Sequence, residues 1–246
     1  EYQRTRNASH PREFLKDFSG VCVTDGYQVY HTIEGEREDL RIAGCWSHAR
    51  RRFDEAVKAL PKAKQKDSRA YLALTMIQAI YREEKQLKDL PPQERENRRQ
   101  LSVRPLVEAY FVWVRENLPK VPQKSKTWEG FNYSLNQEKY LKVFLDDGEV
   151  PMDNNAAEQS IRGFCIGKKN WVMIDTVAGA KSSAIIYSIA ETAKANSVKP
   201  YDYFEYLLTE IPKHLDDTDR AFLDDLLPWS PNLPANCRKP GKNEMQ

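Results

Sequence analysis

The sequence predicts an α/β protein with a large all-helical middle section, on three observations. Two short β-prone runs, residues 21–24 and 40–46, lie near the start. Apolar residues recur at helical spacing through residues 71–145, and no strand signal appears between Pro61 and Val150. Further amphipathic stretches follow from Ala156 and from Ala180. At 246 residues the chain is long enough to bury a real core, in one large domain or two modest ones.

The elements read in order as follows. Residues 1–9 look like the end of a strand and its loop. Residues 10–15 form a short helix, with Pro11 near its start and Gly20 closing the segment. Val21-Cys22-Val23-Thr24 is a compact buried strand ending at Asp25-Gly26, a favoured turn pair. A second strand at 40–46 is interrupted by Gly44. Ser47 is placed to cap a helix over 48–60, whose Ala49, Phe53, Ala56 or Val57, and Leu60 share a face. The order read here is strand, strand, helix.

Tyr71, Leu74, Ile77, Ile80 or Tyr81, and Leu87 then mark one helix, and 94–117 a second with Pro105 as a kink or break. Short helices follow over 128–145, and Asp147-Gly148 makes a turn. Met152-Asp153-Asn154-Asn155 leads into a helix at 156–166, then a basic loop at 167–171 and the apolar run Val172-Met173-Ile174. A helix at 180–196 carries Ile185, Ile189, and Thr192 or Ala193 in one stripe. Helices at 200–208 and 219–227 precede a Pro-rich, loosely ordered tail. The expected organisation is 1–60 as the first part of a core, 61–150 as a helical insertion, 151–212 as the rest of the core, and 213–246 as an acidic helical extension with a flexible tail.

Composition narrows the class. An apolar fraction of 40% with 30% charged residues describes a soluble globular protein rather than a disordered one. No apolar run approaches the roughly 20 residues that span a bilayer. The chain starts at Glu1 rather than Met, which leads us to expect missing upstream sequence. The overall balance of +2 hides a segregation. Residues 41–66 hold eight Lys and Arg against two acids, and residues 201–229 hold eight acids against two bases. One surface suits phosphates and another does not. The four cysteines are scattered, and Cys45-x-x-His48 has no second pair to complete a zinc site. This usage fits a reducing cytoplasm.

Two carboxylates are candidates for chemistry. Asp25 ends a strand at a Gly turn, held by the sheet yet free to point from its edge; the plain alternative is a turn residue and nothing more. Glu158 falls at the third position of a helix capped by Asn155, so a capping box explains it equally well, as does an i,i+4 pair with Arg162. Arg50, Arg51 and Arg52 cannot all share one helix face, so at least one reaches solvent or phosphate. Lys168 and Lys169 are placed to grip a phosphate backbone, and Trp171 to stack on an unpaired base. Against these stand a solvated helix face for the arginines and a core aromatic for Trp171.

The combination is more specific than its parts. The run from Met152 through Asp153-Asn154-Asn155-Ala156-Ala157-Glu158-Gln159-Ser160-Ile161 to Arg162 resembles the carboxy-terminal catalytic signature of the insertion-sequence-66 family of bacterial transposases. Matching blocks occur in order at Val23-Thr24-Asp25-Gly26-Tyr27, at residues 45–53, at Gly167-Lys168-Lys169-Asn170-Trp171, and at residues 187–196. The resemblance covers about residues 10–212. It implies a ribonuclease-H-like core, incomplete at its N-terminus, and a DDE triad in which Asp25 is the second carboxylate and Glu158 the third. Both would bind magnesium or manganese for phosphodiester cleavage and strand transfer at transposon ends. The family's first Asp lies on an earlier strand, ahead of Glu1, so this fragment is expected to bind metal weakly and to cleave little. The resemblance also implies double-stranded DNA as partner, with Arg162 joining the DNA-contacting residues, and a homo-oligomer assembled on it. A catalytically silent DNA-binding remnant is the alternative.

Overall fold

The computed structural model describes residues 3, 5–171 and 176–240, apart from the side chains of residues 167–171. The described residues are mostly helical with one small parallel sheet, and the chain divides into two compact units, Thr5–Glu158 and Gln159–Gln246, with Glu1–Arg4 grouped with the latter.

In the first unit, α1 (Ser9–Phe14) precedes β1 (Gly20–Thr24), α2 (Gln28–Gly35), β2 (Leu40–Gly44) and α3 (Trp46–Lys58). The residues before α1 form no strand among those described. The two strands pair in parallel with Gly20 opposite Leu40 and Thr24 opposite Gly44. Parallel strands need a crossover between them. Here α2 supplies it, so the order is strand, helix, strand, helix. Its polar-rich sequence, with only His31 and Ile33 buried, hid it from the periodicity. Cys45, not Ser47, takes the cap position of α3, without a side-chain hydrogen bond.

Strand alternation sends side chains to two cores. Cys22, Leu40 and Ile42 join Leu15, Ile33 and α2 on one face. Val21, Val23 and Ala43 meet the large helical core on the other. That core is built by α3 with α5 (Arg69–Gln86), α7 (Arg104–Asn117), α8 (Lys126–Asn136) and α9 (Glu138–Leu141), while α4 (Lys62–Gln65) and α6 (Pro92–Arg98) bury no residue in it. The stretch between β2 and Val150 therefore shares one core with the sheet. Fully buried Trp46, from the first turn of α3, packs against Tyr110, Phe111 and Phe144, and its indole N–H donates to the Leu141 carbonyl at 2.8 Å.

Helix breakage follows Pro105 closely. Its ring cannot donate and crowds the carbonyl four residues back, and a π-helical turn, Arg99–Val103, absorbs the mismatch before α7. Arg99 from that turn is buried and donates to the carbonyls of Phe144, Asp147 and Val150. Its other nitrogens bind Glu84 of α5. Arg95 does the same for Leu87, Lys88, Leu90 and Gly148. Gly148 is required by close approach, because a β-carbon there would stand 1.8 Å from the Pro92 carbonyl oxygen. These interactions return the chain to the sheet edge.

The second unit holds most of α10 (Asn155–Trp171), with α11 (Val177–Ala195), α12 (Pro200–Glu210) and α13 (Phe222–Asp225). Helix α10 runs through residues 167–171, where the sequence suggests a loop. The run Val172-Met173-Ile174 lies outside the described residues. Ile185 is 60% exposed, so the expected apolar stripe of α11 is buried only toward its end, at Ala193. The tail is also tighter than expected through Lys239. Leu233 and Cys237 are buried with Val198, Tyr203 and Leu207, and Val198 bridges Arg238. No helix among the described residues is long and apolar enough to cross a membrane.

Candidate active site

The C-terminal ends of β1 and β2 make one edge of the sheet, and three segments meet there. Asp25 follows β1 directly and is exposed. Its Oδ1 accepts the Tyr27 amide at 3.0 Å, closing a side-chain turn that Gly26 completes at φ +85°. Cys45 follows β2, and its amide donates to the Thr24 carbonyl at 3.0 Å. The third segment is the return from the helical core: the Met152 carbonyl accepts the Trp46 amide, and the Asn154 amide approaches Cys45 Sγ at 3.5 Å. Residues more than a hundred positions apart thus share one edge.

Glu158 enters from this third segment. Asp153 Oδ1 accepts the amide of Asn155, the first residue of α10, and Asp153 Oδ2 accepts the Tyr81 hydroxyl at 3.0 Å. Glu158 is therefore the fourth helical residue, and its carboxylate turns toward α3 rather than back to the cap. Its Oε1 lies 3.4 Å from His48 Nε2 and its Oε2 3.8 Å from an Arg51 nitrogen. The capping-box reading is corrected on this point: Asn155 is the first residue of α10 rather than its cap, and the Glu158 carboxylate lies beside His48 and Arg51 of α3.

The same edge collects buried polar atoms without hydrogen-bond partners. Thr24 Oγ1, His48 Nδ1, Gln137 Oε1 and Asn154 Oδ1 are four of them. Such groups in a native fold call for an explanation, and here Thr24 immediately precedes Asp25 while Asn154 lies on the return segment that leads to Glu158. Burial also raises the Cys45 thiol above its ordinary pKa. No cluster of three or more His, Cys, Asp and Glu placed to hold a metal occurs among the described residues. What the edge does offer is mostly oxygen: the carboxylates of Asp25 and Glu158 and the orphaned oxygens of Thr24 and Asn154. Oxygen is the donor type that a hard divalent cation prefers.

Arg50, Arg51 and Arg52 are all exposed on α3. Arg51 faces Glu158, while Arg52 lies over the Tyr133 ring at 4.1 Å. Arg162 is exposed on α10 in the second unit. The side chains of Lys168, Lys169 and Trp171 lie outside the described residues.

Against models of known protein families, residues 1–182 match the one described as Transposase IS66 family, and residues 188–229 match the IS66 C-terminal element. The chain belongs to the IS66 transposase family. Three relatives from Sinorhizobium fredii carry the names uncharacterized protein y4qI, y4jD and y4hP. The y4qI protein is 28% identical over 235 residues, covering 93% of this chain and 42% of its own length. The y4jD protein is 27% identical over 234 residues, 93% of this chain and 44% of its own. The y4hP protein is 26% identical over 234 residues, 91% of this chain and 42% of its own. This IS66-family chain thus spans less than half the length of these relatives. No solved structure matches it.

Sequence reasoning missed the IS66-family chain's contribution from the helical core. Tyr133 donates to the Asp25 carbonyl at 3.0 Å, and a β-carbon on Gly26 would stand 3.1 Å from Gln137. Both residues lie more than a hundred positions from Asp25, in a stretch whose periodicity speaks only of packing. The one local hint was Asp25-Gly26 itself, a turn that leaves room for something to approach.

Proposed function

We propose that this chain is catalytic-region sequence of a DNA transposase, with a ribonuclease-H-like core, acting in divalent-metal-dependent cleavage and strand transfer at transposon ends. The observation that carries the reading is the convergence of Asp25, at the end of β1, and the Glu158 segment on one sheet edge, in a chain of the IS66 family.

Asp25 and Glu158 would hold the cation. The chemistry that magnesium or manganese supplies when bound is activation of the attacking oxygen and stabilisation of the leaving one. The residues of the chain do the rest. His48 and Arg51 orient the Glu158 carboxylate from α3. The Arg50–Arg52 row gives double-stranded DNA a cationic surface on α3, and Arg162, Lys168 and Lys169 are separately assigned to its phosphate backbone. Trp171 is assigned to a base or the strand end. The nucleophile, water or a 3′-hydroxyl, attacks phosphorus as the bond to the leaving oxygen breaks. Two copies acting on paired ends suit this chemistry.

A catalytically silent DNA-binding remnant is the second reading, favoured because no group of three or more His, Cys, Asp and Glu placed to hold a metal occurs among the described residues. An excision assay separates the two, using the complete reading frame that encodes this chain, the element's own ends and magnesium. Excision that disappears in Asp25→Asn and Glu158→Gln supports the first reading. DNA binding with no magnesium-dependent excision at all supports the second.

A further inference from the structure

The turn that carries Asp25 is tied to the helical core at a single hydroxyl and a close packing contact. The Tyr133 hydroxyl donates to the Asp25 carbonyl at 3.0 Å. The following residue, Gly26, has φ +85°, and a β-carbon on it would meet both the Tyr133 hydroxyl oxygen and the Gln137 side chain at 3.1 Å. The turn and the end of α8 therefore touch directly. Arg52 of α3 covers the Tyr133 ring with its guanidinium 4.1 Å from the centroid, a cation–π arrangement that fixes the ring from the other side. Asp25 Oδ1 accepts the Tyr27 amide, so the carboxylate's orientation follows the turn's backbone.

We propose that Tyr133, its ring held by Arg52, is a positioning residue for Asp25, fixing the β1–α2 turn so that the carboxylate is presented in one orientation. The inference rests on the reading of Asp25 as a metal-binding acid. It also gives part of the helical stretch a task at the site, since α8 supplies the donor. Burial pushes the Tyr133 phenol up to about 12, so the hydroxyl keeps its proton to donate throughout the neutral range.

Tyr133→Phe removes the donor and keeps the ring. Tyr110→Phe is the matched control: it removes a buried hydroxyl of the same core that pairs with Ser134 Oγ at 2.8 Å rather than with the Asp25 carbonyl. Two readouts are compared, hydrogen exchange of the Tyr27 amide and Mn2+ affinity measured by titration. In Tyr133→Phe we expect Tyr27 exchange to accelerate about tenfold and Mn2+ affinity to fall by about fivefold, on the scale of one missing hydrogen bond. Tyr110→Phe should change neither. Unchanged exchange and affinity in Tyr133→Phe, or equal changes in both variants, would overturn the proposal. Asp25→Asn tests the underlying reading separately: unchanged Mn2+ affinity there sinks the metal-binding role of Asp25, while Tyr27 exchange still decides whether Tyr133 holds the turn.

Discussion

Replacing Arg99 by Met probes what brings the distant carboxylates to one edge. Arg99 is 1% exposed, and it binds three carbonyls of the 144–150 return loop while pairing with Glu84, whose side chain is 15% exposed. Methionine fills similar volume but supplies no donor. The variant therefore leaves a largely buried carboxylate, two buried carbonyls and a half-buried one without their partner. Breaking one side of a buried pair costs about 3–5 kcal/mol. With a urea slope of about 2 kcal/mol per molar, the unfolding midpoint should fall by about 1.5–2.5 M. Tryptophan fluorescence, to which Trp46 buried in the same core contributes, provides the signal in urea titrations. Replacing Glu84 by Met as well should recover part of the loss, because a pair of apolar side chains avoids the stranded charge. A loss below about 1 kcal/mol for Arg99→Met would refute the reasoning. It would mean that the loop returns without this anchor.

Three further outcomes are expected. Burial holds the His31 imidazole below its ordinary pKa of 6.5, with Glu34 and Asp25 opposing the shift and Lys139 adding to it. Its folded-state pKa is depressed, so the unfolded chain takes the proton first, and stability is lost as pH falls below about 6.5. His31→Gln should flatten the melting temperature between pH 7 and pH 5, and an equal slope in both proteins would contradict this. Gly148→Ala should destabilise by about 1–3 kcal/mol because the added carbon meets the Pro92 carbonyl, whereas Gly35→Ala, with nothing within 4 Å, should gain about 0.5 kcal/mol; thermal unfolding compares them directly. Replacing Arg50 and Arg51 by Ala should lower the slope of log affinity against log salt for duplex DNA by about 0.9 for each phosphate that is no longer neutralised. An unchanged slope would contradict phosphate contact by either arginine.

Strands, the helical middle and the Asp25 turn were legible because each writes a local pattern. Val21-Cys22-Val23-Thr24 is β-branched and compact, and Asp25-Gly26 can hardly be anything but a turn. Helix α2 was not legible, since a short polar-rich helix offers too few apolar repeats; only the parallel pairing of its flanking strands demands it. The loop expected at 167–171 came from its basic composition, which a helix tolerates as easily. Glu158 shows the deeper limit. Its position near a helix start is consistent with capping, and only the tertiary neighbour, His48 on α3, shows that the carboxylate turns elsewhere. Likewise no local signal joins Tyr133 to Asp25, because their meeting depends on how a long helical excursion closes.

The most direct test of the account is transposon excision by the complete protein carrying Asp25→Asn or Glu158→Gln, with folding and duplex binding measured in parallel. The account predicts that each substitution abolishes magnesium-dependent excision while the protein still folds and binds duplex DNA. Excision at the unsubstituted rate in either variant would contradict it.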